Sequence, residues 1–199
     1  MATQTEPRLY FAYGSNLSLT QMARRCPSST YHSLAVLRGW KWVIGPRGYA
    51  NVVKGSSESK SSNKTLGEGQ GDEVYGLLYV LDQVDEDALD VAEGVPDCYV
   101  KMMLGVEILG DGRGVDGKGS GEGGAGNTEV EVLIYVDVVR TGVGVCKEEY
   151  VARMNRGIKD AVERGMPWTY VKDVLRKWVR EEDVPRDGDV KDPFFPGGT

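Results

Sequence analysis

Short apolar runs, each followed by glycine, proline or polar residues, recur along the chain and predict β-strands. Residues 9–13 (LYFAY) and 74–81 (VYGLLYVL) are apolar almost throughout, which is typical of buried strands. Residues 129–139 first alternate and then run apolar, as a core strand does. The full set of predicted strands is residues 9–13, 31–37, 39–44, 51–54, 74–81, 99–108 and 129–139.

Helical patterns lie between and after these strands. Ser18 and Gln21 have the spacing of a capping box, which predicts a short helix that Pro27 ends. A second helix is predicted at residues 82–93, with Asp82 as its N-cap. Two more are predicted in the C-terminal third, at residues 147–163 and from residue 167 through residue 179. The chain is therefore expected to fold as an α+β domain, with a mixed, barrel-like β-sheet and surrounding helices.

Two segments interrupt this pattern with glycine, serine and charged residues. Residues 55–71 contain a single leucine, and residues 109–127 are rich in glycine. Both are expected to be mobile loops, because they offer few apolar anchors to a core. A chain of 199 residues suits one globular domain. We predict that this domain covers residues 8–180 and that a polar tail follows at residues 184–199.

The charge and the reactive residues limit the function classes. A net charge of −6 argues against nucleic acid as a partner, because phosphate binding needs a concentrated basic surface. The three cysteines include no closely spaced pair, which fits a reducing compartment, and the single histidine, His32, leaves no metal site to expect. No apolar run reaches the ~18 residues of a membrane span. We therefore expect a cytoplasmic protein that binds neither nucleic acid nor membranes.

Glycines at positions 121, 123 and 126 have the spacing of a dinucleotide-binding motif. That motif must follow a strand and open a helix, so that the helix N-terminus meets the pyrophosphate. Here it lies inside a glycine-rich segment and leads into a predicted strand. No nucleotide site is expected at this position.

The first candidate for chemistry is the turn Tyr13-Gly14-Ser15-Asn16-Leu17, where a buried strand ends and a helix follows at once. The first N–H groups of a helix lack partners within it, and the helix dipole favours a negative charge there. The side chains of Ser15 and Asn16 add further donors. Such a turn suits a carboxylate or a developing oxyanion. The same residues are also common in turns and caps that have no ligand.

The second candidate is Glu93, in the last turn of the helix at residues 82–93, before Gly94 stops it. A carboxylate there faces the unfavourable end of the helix dipole, so its charged form is destabilised. An exposed glutamate in a frayed turn fits the position as well. Elsewhere in this helix an apolar stripe is expected at Val84, Ala88, Leu89, Val91 and Ala92. The acids expected to face solvent are Asp85, Glu86, Asp87 and Asp90.

LYFAYGSNLS at residues 9–18 resembles the signature of the γ-glutamylcyclotransferase family. LDQVDEDALDVAEGVPDCY at residues 81–99 resembles the second motif of that family, in which Glu-Gly lies on the helix after a core strand and a tyrosine follows. The region of residues 150–167 is similar to the closing helices of the family. The resemblance covers most of residues 8–178 and skips the two predicted loops, which look like insertions.

This resemblance implies an enzyme that cyclises a γ-glutamyl amino acid or γ-glutamyl conjugate to 5-oxoproline and releases the amine, without a metal, nucleotide or other cofactor. Glu93 would take a proton from the α-ammonium group of the substrate and return it to the leaving amine. The substrate-binding residues would be Tyr13, Gly14, Ser15, Asn16 and Leu17. Tyr99 matches the pocket tyrosine of the family, and Tyr135 and Tyr150 match further pocket positions.

Two alternatives stay open. One is a family member that acts on a γ-glutamyl conjugate in the biosynthesis of a sulfur-containing natural product, with the insertions reshaping the entrance to the pocket. The other is a non-catalytic γ-glutamyl-binding module, although the candidate acid Glu93 is present. The sequence leaves open the leaving amine, the pathway and the choice between a monomer and a homodimer.

Overall fold

The computed structural model describes residues 7–55, 72–109 and 128–183, together with Pro193. Its strands are β1 (Arg8–Ala12), β2 (Thr30–Arg38), β3 (Trp40–Ile44), β4 (Ala50–Lys54), β5 (Glu73–Leu81), β6 (Val100–Leu109) and β7 (Thr128–Val136). Its α-helices are α1 (Leu19–Arg25), α2 (Gln83–Glu93), α3 (Glu148–Glu163) and α4 (Trp168–Asp173), and two 3₁₀ turns cover Ser15–Leu17 and Leu175–Lys177. The two predicted loops, except for their end residues Gly55 and Leu109, lie outside the described residues. So do the glycine motif at 121–126 and the predicted tail apart from Pro193.

Five strands close into a barrel in the order β1-β5-β2-β6-β7. Neighbouring strands are antiparallel except for β1 and β7, which run parallel and pair at Tyr10 and Leu133. The remaining strands, β3 and β4, form a separate antiparallel hairpin. The predicted α+β fold with a mixed, barrel-like sheet is confirmed. In the part of the chain that the structure describes, every helix is too short or too polar to cross a membrane.

The buried runs predicted for β1 and β5 form the centre of the core, where Phe11, Leu77 and Leu78 have no exposed surface. Trp42 on the hairpin donates a hydrogen bond of 2.9 Å from Nε1 to the carbonyl oxygen of Tyr13, just after β1. This bond fixes the point at which the chain leaves the barrel.

Helix α3 packs on the 3₁₀ turn that follows β1. A Cβ on Gly157 would lie 2.9 Å from the Cβ of Leu17, so this close approach depends on glycine. The turn is therefore held from one side by the hairpin and from the other by α3.

Helix α2 contradicts the predicted separation of apolar and acidic faces. Val84 and Val91 are 75% and 78% exposed, whereas Asp85 and Glu86 are buried beside Leu89. Cations of two barrel strands explain the burial of one acid: Glu86 Oε1 accepts hydrogen bonds from Arg8 at 3.1 Å and Lys101 at 3.0 Å. The apolar spacing in the sequence carried no information about these partners.

Smaller differences occur at the ends of elements. Strand β7 ends at Val136 rather than residue 139, and Val139 beyond it is 79% exposed. Helix α4 ends at Asp173, so the predicted continuous helix through residue 179 is broken. The capping box is only half formed. Ser18 Oγ accepts a hydrogen bond from Gln21 N at 3.4 Å, but the side chain of Gln21 turns elsewhere, into the site described next.

Candidate active site

A cleft that is partly open to solvent lies where β1 leaves the barrel. Its walls come from β1 and the 3₁₀ turn, the C-terminal end of α2 and the hairpin, with further residues from α1, β7 and α3. The structure brings most of the predicted site residues together here: Tyr13, Gly14, Ser15, Asn16, Glu93, Tyr99, Tyr135 and Tyr150 all line the cleft. Leu17 is the exception. It is fully buried against α3 and is not among the lining residues.

Two backbone donors of the turn already have partners within the protein. Leu17 N donates to Gly14 O at 2.9 Å, and Ser15 N donates to the hydroxyl of Tyr150 at 3.0 Å. A Cβ on Gly14 would lie 2.8 Å from that hydroxyl, while φ of Gly14 is −110°. Glycine is thus required here by the close approach of Tyr150 and not by a positive φ. Of the backbone donors expected to face a ligand, Ser15 N and Leu17 N are therefore already bonded within the protein.

Glu93 lies at the last position of α2, and Gly94 ends the helix with φ of +66°. Asn16 Nδ2 donates to Glu93 Oε1 at 3.1 Å, and Arg25 Nη1 lies 3.6 Å from the same oxygen. The Arg25 side chain is 4% exposed, so its charge is little screened by water and stabilises the Glu93 carboxylate. This interaction acts against the dipole effect expected from the position of Glu93 in its helix.

Gln21 and Arg25 are site residues that the sequence reasoning missed. Gln21 Nε2 donates to Ser15 Oγ at 2.9 Å and to Asn16 Oδ1 at 2.8 Å, and Arg25 Nη1 donates to Asn16 Oδ1 at 3.2 Å. The two residues are four positions apart on α1 and therefore share one face of that helix. This spacing is the available signal in the sequence, but the capping-box pattern accounts for Gln21 without a role in the site.

Buried tyrosines form much of the remaining wall. Burial raises the pKa values of Tyr10, Tyr13 and Tyr99 well above the ordinary range, and raises that of Tyr150 to about 12. These phenols are therefore uncharged donors near neutral pH. Three of the tyrosines donate hydrogen bonds from their hydroxyl groups to neighbouring segments. Tyr13 donates to Tyr135 O at 2.6 Å, Tyr99 to Ala50 O at 2.9 Å and Tyr135 to Asp90 Oδ1 at 2.7 Å.

Two further arginines line the cleft. Arg153 is 2% exposed, stacks at 4.9 Å on the ring of Tyr150 and lies 3.4 Å from Ser15 Oγ. Arg47 lies in the loop between β3 and β4, with its guanidinium 4.6 Å from the ring centre of Tyr99. With Arg25 they give the cleft a cationic lining, which suits a ligand that carries carboxylate groups.

A family model described as gamma-glutamyl cyclotransferase, AIG2-like, matches residues 10–136, which is more than half of the chain. The chain belongs to this family. It is 37% identical over 103 residues to the gamma-glutamylcyclotransferase of Bos taurus, covering 51% of this chain and 52% of that protein. It is 32% identical over 96 residues to the gamma-glutamylcyclotransferase of Homo sapiens, covering 45% and 46%.

A gamma-glutamylaminecyclotransferase B of Danio rerio is 28% identical over 117 residues, covering 58% of this chain and 52% of that protein. The chain thus spans about half the length of the curated relatives that it matches. A solved structure of a gamma-glutamyl cyclotransferase superimposes with a TM-score of 0.65 at 22% identity, covering 95% of this chain and 96% of that one. A second, of a human protein, has a TM-score of 0.63 at 22% identity and covers 96% of both chains. These structural matches show the shared fold.

Proposed function

We propose that this member of the gamma-glutamyl cyclotransferase, AIG2-like family is itself a γ-glutamylcyclotransferase, which converts a γ-glutamyl amino acid to 5-oxoproline and a free amino acid. The observation that carries the proposal is the Glu93 carboxylate, held in the cleft by Asn16 of the turn and by Arg25. A fixed carboxylate beside hydrogen-bond donors can move protons while the donors stabilise negative charge.

In the proposed reaction the Glu93 carboxylate removes a proton from the α-ammonium group of the substrate. The freed amine attacks the γ-carbonyl carbon and closes a five-membered ring, which leaves a negative charge on the former carbonyl oxygen. Collapse of this intermediate breaks the bond to the leaving nitrogen. Protonated Glu93 delivers its proton to that nitrogen. The ring nitrogen still carries one surplus proton, which the restored Glu93 carboxylate takes up and passes to the released amine, so that the products are the neutral lactam and an ammonium ion.

The turn with Tyr150 is the proposed site for the oxyanion. The Tyr150 hydroxyl accepts the Ser15 N–H, so its own proton remains a donor for a ligand. Burial keeps that phenol protonated, because its pKa is raised to about 12. Tyr13, Tyr99 and Tyr135 shape the substrate pocket in this proposal, whereas Leu17 supports the turn from below.

The proposal also includes the extent of the functional domain and the cellular setting of the protein. Residues 8–180 would act as a single unit, and the protein would work in the cytoplasm, in glutathione metabolism. The three free cysteines agree with a reducing environment, since none of them is paired in a disulfide.

The test is incubation of the purified protein with γ-glutamyl-L-alanine, with 5-oxoproline and alanine measured together. The proposal requires both products in equal amounts, and a Glu93→Gln variant should release almost none. Release of alanine with free glutamate would identify a hydrolase instead. Saturable binding of the substrate without any product would identify a non-catalytic binding module.

A further inference from the structure

Arg47 differs from the other two arginines that line the cleft. Arg25 is bound to Asn16 and Glu93, and Arg153 is buried behind the turn. Arg47 lies on the loop at the end of the hairpin, and its side chain is 24% exposed. It is therefore the cation of the cleft, among the described residues, that solvent and ligands reach most easily.

The guanidinium of Arg47 is held in place by three contacts. Its Nε lies 3.3 Å from Asp137 Oδ2, its Nη2 donates to the carbonyl oxygen of Cys98 at 3.4 Å, and its plane lies 4.6 Å from the ring centre of Tyr99. A guanidinium has five N–H donors. Within the described part of the chain these hydrogen bonds use Nε and one N–H of Nη2, which leaves Nη1 and the second N–H of Nη2 for an anion.

Arg47 and the catalytic carboxylate proposed above both line the cleft, and hydrogen bonds link the segments that carry them. Gly94 directly follows Glu93, and its carbonyl oxygen accepts a hydrogen bond of 2.8 Å from Cys98 N. Cys98 in turn accepts the hydrogen bond from Arg47. A short run of chain, residues 93–98, therefore connects the proton donor for the leaving nitrogen to the guanidinium.

We propose that Arg47 binds the carboxylate of the leaving amino acid and so selects γ-glutamyl amino acids over γ-glutamylamines. The inference rests on the proposed function, because it takes the leaving group to lie beside Glu93. In a γ-glutamyl amino acid the carboxylate is two bonds from the scissile nitrogen. Arginine binds a carboxylate through paired, charge-assisted hydrogen bonds, and an amine without a carboxylate leaves these donors unused.

The experiment uses two substrates that differ by one carboxylate. Ethylamine is alanine without its carboxylate, so γ-glutamyl-L-alanine and γ-glutamylethylamide form a matched pair. Arg47→Met should lower kcat/KM on γ-glutamyl-L-alanine by about ten- to a hundredfold, mainly through KM, which is the effect expected for a lost hydrogen bond to a charged group. The loss on γ-glutamylethylamide should be much smaller, so that the preference for the alanine compound falls. Arg47→Lys should recover part of the loss, because it restores the charge without the paired geometry.

Arg140→Met is the matched control. Arg140 lies 3.4 Å from the other oxygen of Asp137, and it is not among the residues lining the cleft. This variant should leave the ratio between the two substrates unchanged. Circular dichroism verifies the folding of each variant.

If Arg47→Met lowers kcat/KM equally on both substrates, the proposal is overturned. Such a result would mean that Arg47 binds the γ-glutamyl group or stabilises the fold. No loss on either substrate would overturn it too. If the unmodified protein cyclises neither substrate, the proposed function fails. Calorimetric binding of the same two compounds then decides the role of Arg47. A preference for the alanine compound that disappears in Arg47→Met supports the role, and equal affinities in both proteins contradict it.

Discussion

Asn16 Nδ2 lies 3.1 Å from Glu93 Oε1 and joins the turn after β1 to the last turn of α2 across 77 residues of sequence. The orientation of this amide is fixed by its other end, because Asn16 Oδ1 accepts from Gln21 at 2.8 Å and from Arg25 at 3.2 Å. With two donors at the oxygen, the nitrogen has to face Glu93. Helix α1 therefore positions the carboxylate without providing the reacting group itself.

Glu93→Gln should reduce kcat by about 10²- to 10⁴-fold, the usual contribution of general acid–base catalysis. The fold should be kept, since glutamine still offers an oxygen to Asn16 Nδ2. The measurement is 5-oxoproline release at saturating γ-glutamyl-L-alanine. Asp87→Asn is the control, because it makes the same acid-to-amide change at an exposed position of α2. A Glu93→Gln variant that keeps more than about a tenth of kcat would remove Glu93 from this role.

Arg25→Met should move the acidic limb of the pH–rate profile to higher pH. Arg25 lies 3.6 Å from Glu93 Oε1 and stabilises the carboxylate, which is the form that acts as the base. Without this cation a higher pH is needed to ionise Glu93, so activity on the acidic side falls first. The neighbouring Arg24 is exposed, and Arg24→Met should leave the profile in place. An unshifted limb in Arg25→Met would show that the cation does not act on the ionisation.

The parts of the site that the sequence predicted are those with local signals. The turn was visible because glycine, serine and asparagine follow a buried strand directly, and Glu93 because Gly94 ends its helix. The pairing of Asn16 with Glu93 depends on closure of the barrel, which no local pattern shows. The resemblance to the family supplied the link between the two motifs before the structure did.

Two of the failures, at Glu86 and Arg25, have a common physical cause. Asp85 and Glu86 were expected to face solvent because acids usually do, yet both are buried. Cations on barrel strands, distant in sequence, compensate the charge of Glu86. Arg25 was missed for the same reason, since its partner Glu93 lies on a different helix. Ion pairs with other elements can bury a charged side chain on a helix face that the apolar spacing of that helix assigns to solvent.

Cys98 should react with a thiol reagent before Cys26 does, and a bound substrate should slow that reaction. Cys26 has no exposed surface, and burial raises its thiol pKa to about 12, so almost no thiolate is present at pH 8. Cys98 lines the cleft. Mass spectrometry after limited alkylation, with and without γ-glutamyl-L-alanine, measures both effects. Labelling of Cys98 that is indifferent to saturating substrate would place the ligand outside this cleft.

Gly157→Ala should destabilise the protein by about 1–3 kcal/mol, as an overpacked core does. Helix propensity alone predicts the opposite, because alanine is favoured over glycine by about 1 kcal/mol inside a helix. The added Cβ would lie 2.9 Å from Leu17 Cβ and 3.2 Å from Ser18 N, so α3 has to move away from the turn. Thermal unfolding gives the sign, and kcat/KM should fall with it. A stabilised variant of unchanged activity would show that α3 does not hold the turn.

Within the turn, kcat/KM should fall most in Gly14→Val, less in Asn16→Ala and least in Ser15→Ala. Valine brings a Cβ to 2.8 Å from the Tyr150 hydroxyl and 3.2 Å from Ala50 Cβ. Removal of Asn16 frees the Glu93 carboxylate from its donor. Removal of the Ser15 hydroxyl costs about 1 kcal/mol for a neutral hydrogen bond and about 1.5–3 kcal/mol for a charged one.

A double variant separates crowding of the Tyr150 hydroxyl by a Cβ at position 14 from a direct effect of that Cβ on the ligand. Gly14→Ala introduces the same Cβ, and Tyr150→Phe removes the oxygen that this Cβ approaches. If crowding of Tyr150 is the cause, Gly14→Ala/Tyr150→Phe should be no less active than Tyr150→Phe alone. Additive losses would mean that the Cβ acts elsewhere, on the ligand or on Ala50 Cβ at 3.2 Å. If Ser15→Ala is instead the most damaging of the folded variants in the turn, the serine hydroxyl contacts the reacting group. The pair of Ser15 N and the Tyr150 hydroxyl would then lose its proposed role at the oxyanion.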